Sequence, residues 1–530
     1  MNHTSTGTSL RIVASLICAF AFAIPACGSA SPEASAKPDI LLISIDTTRA
    51  DFLTFKDENT APKLAAAAAN GTIFNQAVSG STWTLPAHAQ MFTGMAPPYH
   101  GSEMERVTVD PALPMLAELL DRAGYQTLGV HSNPYLWGNY GFERGFDYYH
   151  SAMLPEYANQ DELRFAPRGD AATESFQKLA ESGMMAAPTV VRIVRRALER
   201  TQKDEPVFLF AHIMEPHADY IPPPPFDTKF DPDYAGTMHG RNFQNNLAVV
   251  DYSKNPPRQI SDRDLDHIKA LYRGEIASAD AAIGEILQLF EIHGRLDNTL
   301  VIVTADHGES FFEHRRTGHR GLTRDEVLRV PLLVIPPKAD RPASKKQSEA
   351  TATLSDVLPT ILDFARIDVP DVVKGTSLRP ALEGDEFAER ITFFSDYDVK
   401  NLPDGSLEHR QSYGLRSKDF KVIRRSFIVG EKTVKEMEIF WDLSEDPREK
   451  SPVRDPQDPA LRRAIKKLDE RLKEAQQHWL DHPRTPREER KVQLDDWYQE
   501  LQRLGYFVNA NDNSEKRRLK PWGLAPRLAQ

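Results

Sequence analysis

The sequence predicts an α/β fold in which a mostly parallel sheet is covered by helices on both faces, the layering of a three-layer α/β/α sandwich. Three observations carry this prediction. Short, almost continuously apolar runs recur, as strands buried on both faces require. Longer stretches between them space their apolar residues for one face of a helix. The apolar runs also end in aspartates and histidines, at the edge where open parallel sheets bind ligands.

In chain order, Asp39-Ile-Leu-Leu-Ile-Ser-Ile45 reads as the first buried strand. Pro62 to Asn70 reads as a helix, with proline near its start and Gly71 just past its end. Pro114 to Ala123 reads as another, followed by a strand at Gln126 to Val130, and Pro206-Val-Phe-Leu-Phe210 makes a further buried strand. From Tyr272 to Phe290, Ile276, Ile283, Leu287 and Phe290 fall on one helical stripe. Gly294 and the turn at Asp297-Asn298 lead from it into the strand Thr299-Leu-Val-Ile-Val-Thr304.

The amino terminus predicts export. Arg11 precedes an apolar run from Ile12 to Ile24, too short to span a bilayer and shaped like a signal sequence. Its ending, Ile24-Pro-Ala-Cys27, resembles a bacterial lipoprotein box, which makes Cys27 the expected lipidation site, residues 1–27 the signal and 28–37 a flexible tether. The alternative is an ordinary signal peptide cut near Ala30. Cys18 and Cys27 are the only cysteines, which excludes an internal disulfide in the mature domain and any cysteine-based metal or nucleophile chemistry. A net charge of −11 argues against a general nucleic-acid binder. The expected location is the cell envelope, with attachment to the membrane through a lipid.

The strand ends supply the chemistry. The first strand runs into Asp46, that at 299–304 into Asp306-His307, and that at 206–210 into His212, Glu215 and His217. One acidic residue after a strand is ordinarily turn chemistry; three such endings point at one rim. Ser81-Thr-Trp-Thr-Leu-Pro-Ala-His88 opens a helical run, so Ser or Thr there reads as an N-cap. A hydroxyl at that position also faces unpaired N–H groups and a positive dipole suited to an oxyanion. Thr84 becomes a useful nucleophile only with a base or a cation to lower its pKa.

Ile43-Ser-Ile-Asp-Thr-Thr-Arg-Ala-Asp51, Thr84-x-Pro-x-His88 with Thr93-Gly94 and Pro97-x-x-His100-Gly101, and Thr304-Ala-Asp-His-Gly-Glu309 with Gly318-His319 and Leu328-Arg-Val-Pro331 together resemble the sulfatase family of the alkaline-phosphatase superfamily. Gly141-Phe-Glu-Arg-Gly-Phe-Asp147, Glu215-Pro-His217, Leu271-Tyr-Arg-Gly-Glu-Ile276, Asp356-Val-Leu-Pro-Thr360 and Lys374-Gly-Thr-Ser377 extend the likeness from about Pro38 to Arg448. The resemblance implies an alkaline-phosphatase-like catalytic domain over 38–385 and a small C-terminal α+β subdomain with an antiparallel sheet over 386–455. A helical extension and tail at 456–530 follow, where Leu461, Ile465, Leu468, Leu472, Ala475 and Trp479 recur at helical spacing and are expected to pack back onto the body. Pro222 to Gly240 resembles the family's variable loop over the site.

By the same resemblance Asp46, Asp306 and His307, with Thr84, hold one divalent metal ion (manganese, calcium, magnesium or zinc). His88, His217 and His319 are implied as catalytic residues, the latter two also as substrate-binding. The departure is at Thr84, where sulfatases carry a cysteine or serine that is converted to formylglycine. Threonine cannot be converted so, and His88 stands where the family has arginine. The expected activity is therefore a metal-dependent ester hydrolase, or group transferase, that acts on phosphate esters or phosphodiesters of an envelope or extracellular glycan or lipid. The alternatives are a sulfatase working without formylglycine and a catalytically inactive lipid-anchored binding protein.

Overall fold

A computed structural model describes residues 37–103, 108–153, 186–241, 260–342, 346–385, 387–402 and 404–483. The signal, Cys27, the tether up to residue 36 and the tail beyond 483 lie outside the described residues. Fourteen strands are seen among them: β1 Asp39–Ile45, β2 Thr72–Val78, β3 Gln126–His131, β4 Tyr148–Ser151, β5 Val207–Ile213, β6 Thr299–Ala305, β7 Ser310–Phe311, β8 Thr317–Gly318, β9 Leu332–Ile335, β10 Lys346–Thr353, β11 Thr392–Asn401, β12 Leu407–Arg416, β13 Phe420–Val429 and β14 Lys432–Asp442. Eight form one sheet in the order β10-β2-β9-β6-β1-β5-β3-β4, and only β9 runs against its neighbours. The central strands are paired in tight parallel register, with Ile43 beside Ala211 on one side and Val303 on the other.

The period-2 alternation of strands divides this sheet's residues between two cores. Ile40, Leu42, Phe208, Phe210, Leu300 and Ile302 face helices at Thr84–Thr93, Leu116–Arg122 and Val357–Ala365. Leu41, Ile43, Leu209, Val301 and Val303 face helices at Pro62–Ala68, Ala186–Leu198 and Asp262–Ile292. Both faces are covered, which is why β1, β5 and β6 are apolar at nearly every position. The result is the three-layer sandwich predicted from the sequence.

β11 to β14 make a separate antiparallel sheet joined in simple succession. The helix Pro459–Asp481 starts on an Asp458 cap and buries Leu461, Ala464, Leu468 and Ala475 against Phe393, Leu415 and Val422 of that sheet and Tyr99 of the main body. Trp479 Nε1 donates to the Pro98 carbonyl at 2.9 Å, so the extension does pack back onto the body.

The second sheet is also stapled by charge to the short helix Asp325–Leu328 of the main body. Lys421 of β13 is fully buried, its Nζ 2.5 Å from Asp325 and 2.8 Å from Glu449, while Arg416 of β12 meets the other Asp325 oxygen at 2.8 Å. Against the cost of burial, these two cations hold the Asp325 carboxyl far below the usual carboxylate range. Removing one partner leaves the others buried and uncompensated, so Lys421→Met is expected to cost about 3–5 kcal/mol. Chemical denaturation of the purified variant measures this; an unchanged midpoint would refute the staple.

Candidate active site

Parallel strands bring their carboxyl ends to one edge, and the site is assembled there. Asp46 follows β1, Asp306 follows β6, Asn133 lies two residues past β3, and His212 is the next-to-last residue of β5. His212 thus belongs to the strand itself, which runs three residues beyond the Phe210 end read from the sequence. Asp46, Asp306, His307, His88 and His212 are fully buried.

Thr84 is the first residue of the helix Thr84–Thr93, capped by Trp83 with no side-chain capping bond. This corrects the N-cap reading of the Ser/Thr cluster: the Thr84 hydroxyl is not engaged in capping. Its Oγ1 accepts instead from Asn133 Nδ2 at 3.3 Å, and the same amide donates to Asp46 Oδ2 at 2.7 Å. Asn133 was not among the residues singled out from sequence, although its place after a strand of the same sheet would have flagged it by the same edge rule.

The backbone around Asp46 is held in an uncommon shape. Thr47 has φ of +50°, a left-handed conformation rare for a β-branched residue. Its N–H donates to Asp306 Oδ1 at 3.1 Å and its carbonyl accepts from Tyr272 Oη at 2.7 Å. Two segments about 260 residues apart in sequence are thereby locked together, and strain of this kind persists only where the surroundings over-determine it.

Three ligand atoms converge here. Asp46 Oδ1, Asp306 Oδ2 and His307 Nε2 are buried and accept no hydrogen bond, and they lie within 4.8 Å of one another. His307 Nδ1 sits 3.0 Å from the Gly308 carbonyl, which only accepts, so that nitrogen carries the proton and Nε2 presents its lone pair. Burial, then the neighbouring Asp46 charge, pushes the Asp306 carboxyl up to about 7, and burial pushes His307 down to about 3. Two carboxylates and a neutral imidazole buried together without hydrogen-bond partners at these atoms fit a divalent cation, which would satisfy all three.

His88 lies beside this cluster, its Nδ1 3.8 Å from Asp306 Oδ2. Four residues on from Thr84 along the helix, its Nδ1 donates to the Thr84 carbonyl at 2.8 Å and its Nε2 meets Ser44 Oγ at 3.0 Å. Burial lowers it to about 3, and both nitrogens are engaged by the protein. It therefore holds the first turn of that helix from within and is itself fully buried. His88, His212 and Asp306 also bring ligand atoms close together; there His212 Nε2 has no hydrogen-bond partner, while both His88 nitrogens are engaged.

His217 and His319 stand at the mouth. Their rings are 5.4 Å apart, and that of His319 lies 4.4 Å from that of His307. His319 Nδ1 is 3.3 Å from Glu309 Oε1, a carboxyl that burial raises to about 7, while burial keeps His319 neutral. The chain after His217 is pinned by a bridge between Tyr220 and Gly240. It also packs on Gly274, where a Cβ would lie 2.5 Å from the Phe226 carbonyl oxygen. Behind the site, Arg49 pairs with Asp51 at 2.7 Å and Glu313 at 2.6 Å.

A mostly parallel α/β sheet whose carboxyl edge gathers two aspartates, a metal-competent histidine and a buried hydroxyl defines an alkaline-phosphatase-like ester hydrolase. Residues 38–367 match the sulfatase family, and the chain belongs to it. A further match, to the C-terminal region of N-sulphoglucosamine sulphohydrolase, spans 312–478 and takes in the second sheet. The chain is 26% identical over 464 residues to an arylsulfatase of Clostridium perfringens, covering 78% of this chain and 89% of that one. It is 24% identical over 532 residues to an N-acetylglucosamine-6-O-sulfatase of Bacteroides thetaiotaomicron, covering 87% and 90%. Among solved structures, the phosphonate monoester hydrolase of Agrobacterium radiobacter shares the fold with a TM-score of 0.60 at 23% identity, over 83% of this chain and 96% of that one.

Proposed function

We propose that this hydrolase cleaves an ester of a phosphorus oxyacid, foremost a phosphodiester, using the unprocessed Thr84 hydroxyl as nucleophile. The observation that carries the reading is a buried threonine Oγ1 at a helix N-terminus, excused from capping and aimed by Asn133, beside three orphaned ligand atoms. Asp46, Asp306 and His307 would hold one divalent cation with Thr84, and His212 stands at 3.2 Å from Asp46 as a further neighbour. When bound, such a cation polarises the ester oxygen and lowers the pKa of the hydroxyl.

The chain's own residues do the rest. Thr84 Oγ attacks phosphorus, the bond from phosphorus to the leaving oxygen breaks, and the backbone N–H groups of the first helical turn face the charge that develops. His319 and His217, whose rings lie side by side, are proposed as the pair that passes the proton released by Thr84 on to the departing alcohol. Water or a second alcohol then attacks the threonine ester and restores Thr84. The substrate is proposed to be an envelope or extracellular phospho-ester, reached by a chain exported and anchored through Cys27.

A second reading, hydrolysis of sulfate esters without formylglycine, is favoured by the names borne by the relatives. Rates on aryl sulfate, aryl phosphate monoester and aryl phosphodiester, each with added manganese, calcium, magnesium or zinc, separate the two. Metal-dependent phosphodiester turnover that vanishes in Thr84→Ala is expected; aryl sulfate as the best substrate would overturn the preference for phosphorus.

A further inference from the structure

We infer that Arg320 is a specificity residue that selects esters bearing a second oxyanion, such as a carboxylate, sulfate or phosphate, on the portion that departs. This rests on reading the rim around Thr84 as the active site. Arg320 is half-buried, its guanidinium carbon 4.6 Å from the centre of the Trp83 ring and 5.4 Å from that of Tyr135. Those two rings meet edge to face at 5.3 Å, and Arg320 Nη2 donates to Tyr135 Oη at 2.8 Å.

Each of these partners is one step from the reacting centre. Trp83 precedes Thr84, Arg320 follows His319, and the Tyr135 N–H donates to the side chain of Asn133, whose amide touches both Thr84 and Asp46. The loop carrying Arg320 is also fixed. The Gly321 N–H donates to Asp396 Oδ1 at 3.2 Å, and the Thr82 hydroxyl donates to the same oxygen, so the C-terminal sheet clamps the Arg320 loop to the segment leading into Thr84.

A guanidinium stacked on an aromatic wall keeps its charge and offers a planar fork that fits oxyanions. Arg320 is displaced from the ligand atoms by its neighbour His319, which is the residue that approaches His307. It therefore meets a different part of the substrate from the group being transferred. An ester with one charge leaves Arg320 without a role in binding, whereas one with a second anion at the right reach engages it.

Calorimetric titration of the metal-loaded full chain with phenylphosphonate and its 2-, 3- and 4-carboxyl derivatives tests this with ligands that contain no ester to cleave. At least one carboxyl derivative should bind about tenfold tighter than phenylphosphonate, as one charge-assisted hydrogen bond would provide. Arg320→Gln should erase that preference while leaving phenylphosphonate affinity unchanged, and Arg320→Lys should keep part of it. Equal binding of all four by the unaltered protein, or an equal loss for all four in Arg320→Gln, overturns the inference. If none binds while Thr84-dependent ester turnover persists, Arg320 has been misread and the active site has not; if turnover is absent too, both fall.

Discussion

Thr84→Ala is expected to lower ester hydrolysis by at least about a thousandfold, because in the proposed mechanism it removes the atom that forms the covalent bond and not merely a contact with it. The fold should survive the change: the helix start does not depend on a side-chain cap from Thr84, and the methyl fits where the threonine stood. Thr84→Ser keeps a hydroxyl in the same place and should retain activity within about tenfold. Single-turnover assays of both variants, with the melting temperature as a control on folding, measure the effect. Intact-mass analysis of the unaltered chain should show the threonine unprocessed. Full activity in Thr84→Ala would remove the nucleophile from this scheme.

The second large effect joins cation binding to pH. Without a cation, the folded protein holds the Asp306 carboxyl up at about 7, against about 3.9 in an unfolded chain. Asp46 is raised in the same direction by its burial. A raised carboxyl pKa means that the folded state binds its proton more tightly than the unfolded one. That stabilisation is complete below about pH 4 and is lost as the pH climbs through about 7, where two buried carboxylates must ionise side by side. A divalent cation competes with the proton and reverses this, so its stabilising effect grows with pH.

Chelator should therefore matter little at pH 5 and lower the melting temperature by about 5 °C or more at pH 8. Asp306→Asn should abolish the cation's effect on stability and, with it, activity. At pH 8 that variant should be more stable than the chelator-treated unaltered protein, since a neutral amide replaces a buried charge. Scanning fluorimetry across pH, paired with metal analysis of the protein as purified, checks each point. A chelator effect that is as large at pH 5 as at pH 8 would show that Asp306 is not where the cation binds.

Much of this was legible in the sequence because the central strands are buried on both sides. Ile40 to Ile43 or Leu300 to Val303 allow no other reading, since each successive residue enters one of two cores. What failed to register had mixed character. The helix Asp262–Ile292 was read only from Tyr272 onward, because its first two turns are largely charged and bury little beyond Ile268. The helix Ala186–Leu198 alternates Val190, Val194 and Ala197 with arginines and went unread, though its apolar side is fully covered. The antiparallel sheet was reached by resemblance alone. Its strands pack Phe393 and Phe394, or Val422 and Ile423, into opposite clusters at one end and expose polar residues at the other, which blurs the alternation.

At the site, acidic and imidazole ligands announced themselves by chemistry, whereas Asn133 did not, since an amide in a turn is unremarkable until a hydroxyl is seen beside it. His88 stands out in the sequence by its type, and its backbone partner is legible too. The four-residue spacing from Thr84 already placed it over that residue's carbonyl, on the same helical face.

The route of the chain into the main sheet has a practical corollary. Lys37, hydrogen-bonded through its carbonyl to Asn298 and through Nζ to Ala123, enters at the amino edge of β1, and Asp46 leaves at the other. Seven residues of strand separate them, about 23 Å at the usual rise. A tag joined ahead of Lys37 therefore enters the described body at the opposite end of β1 from Asp46.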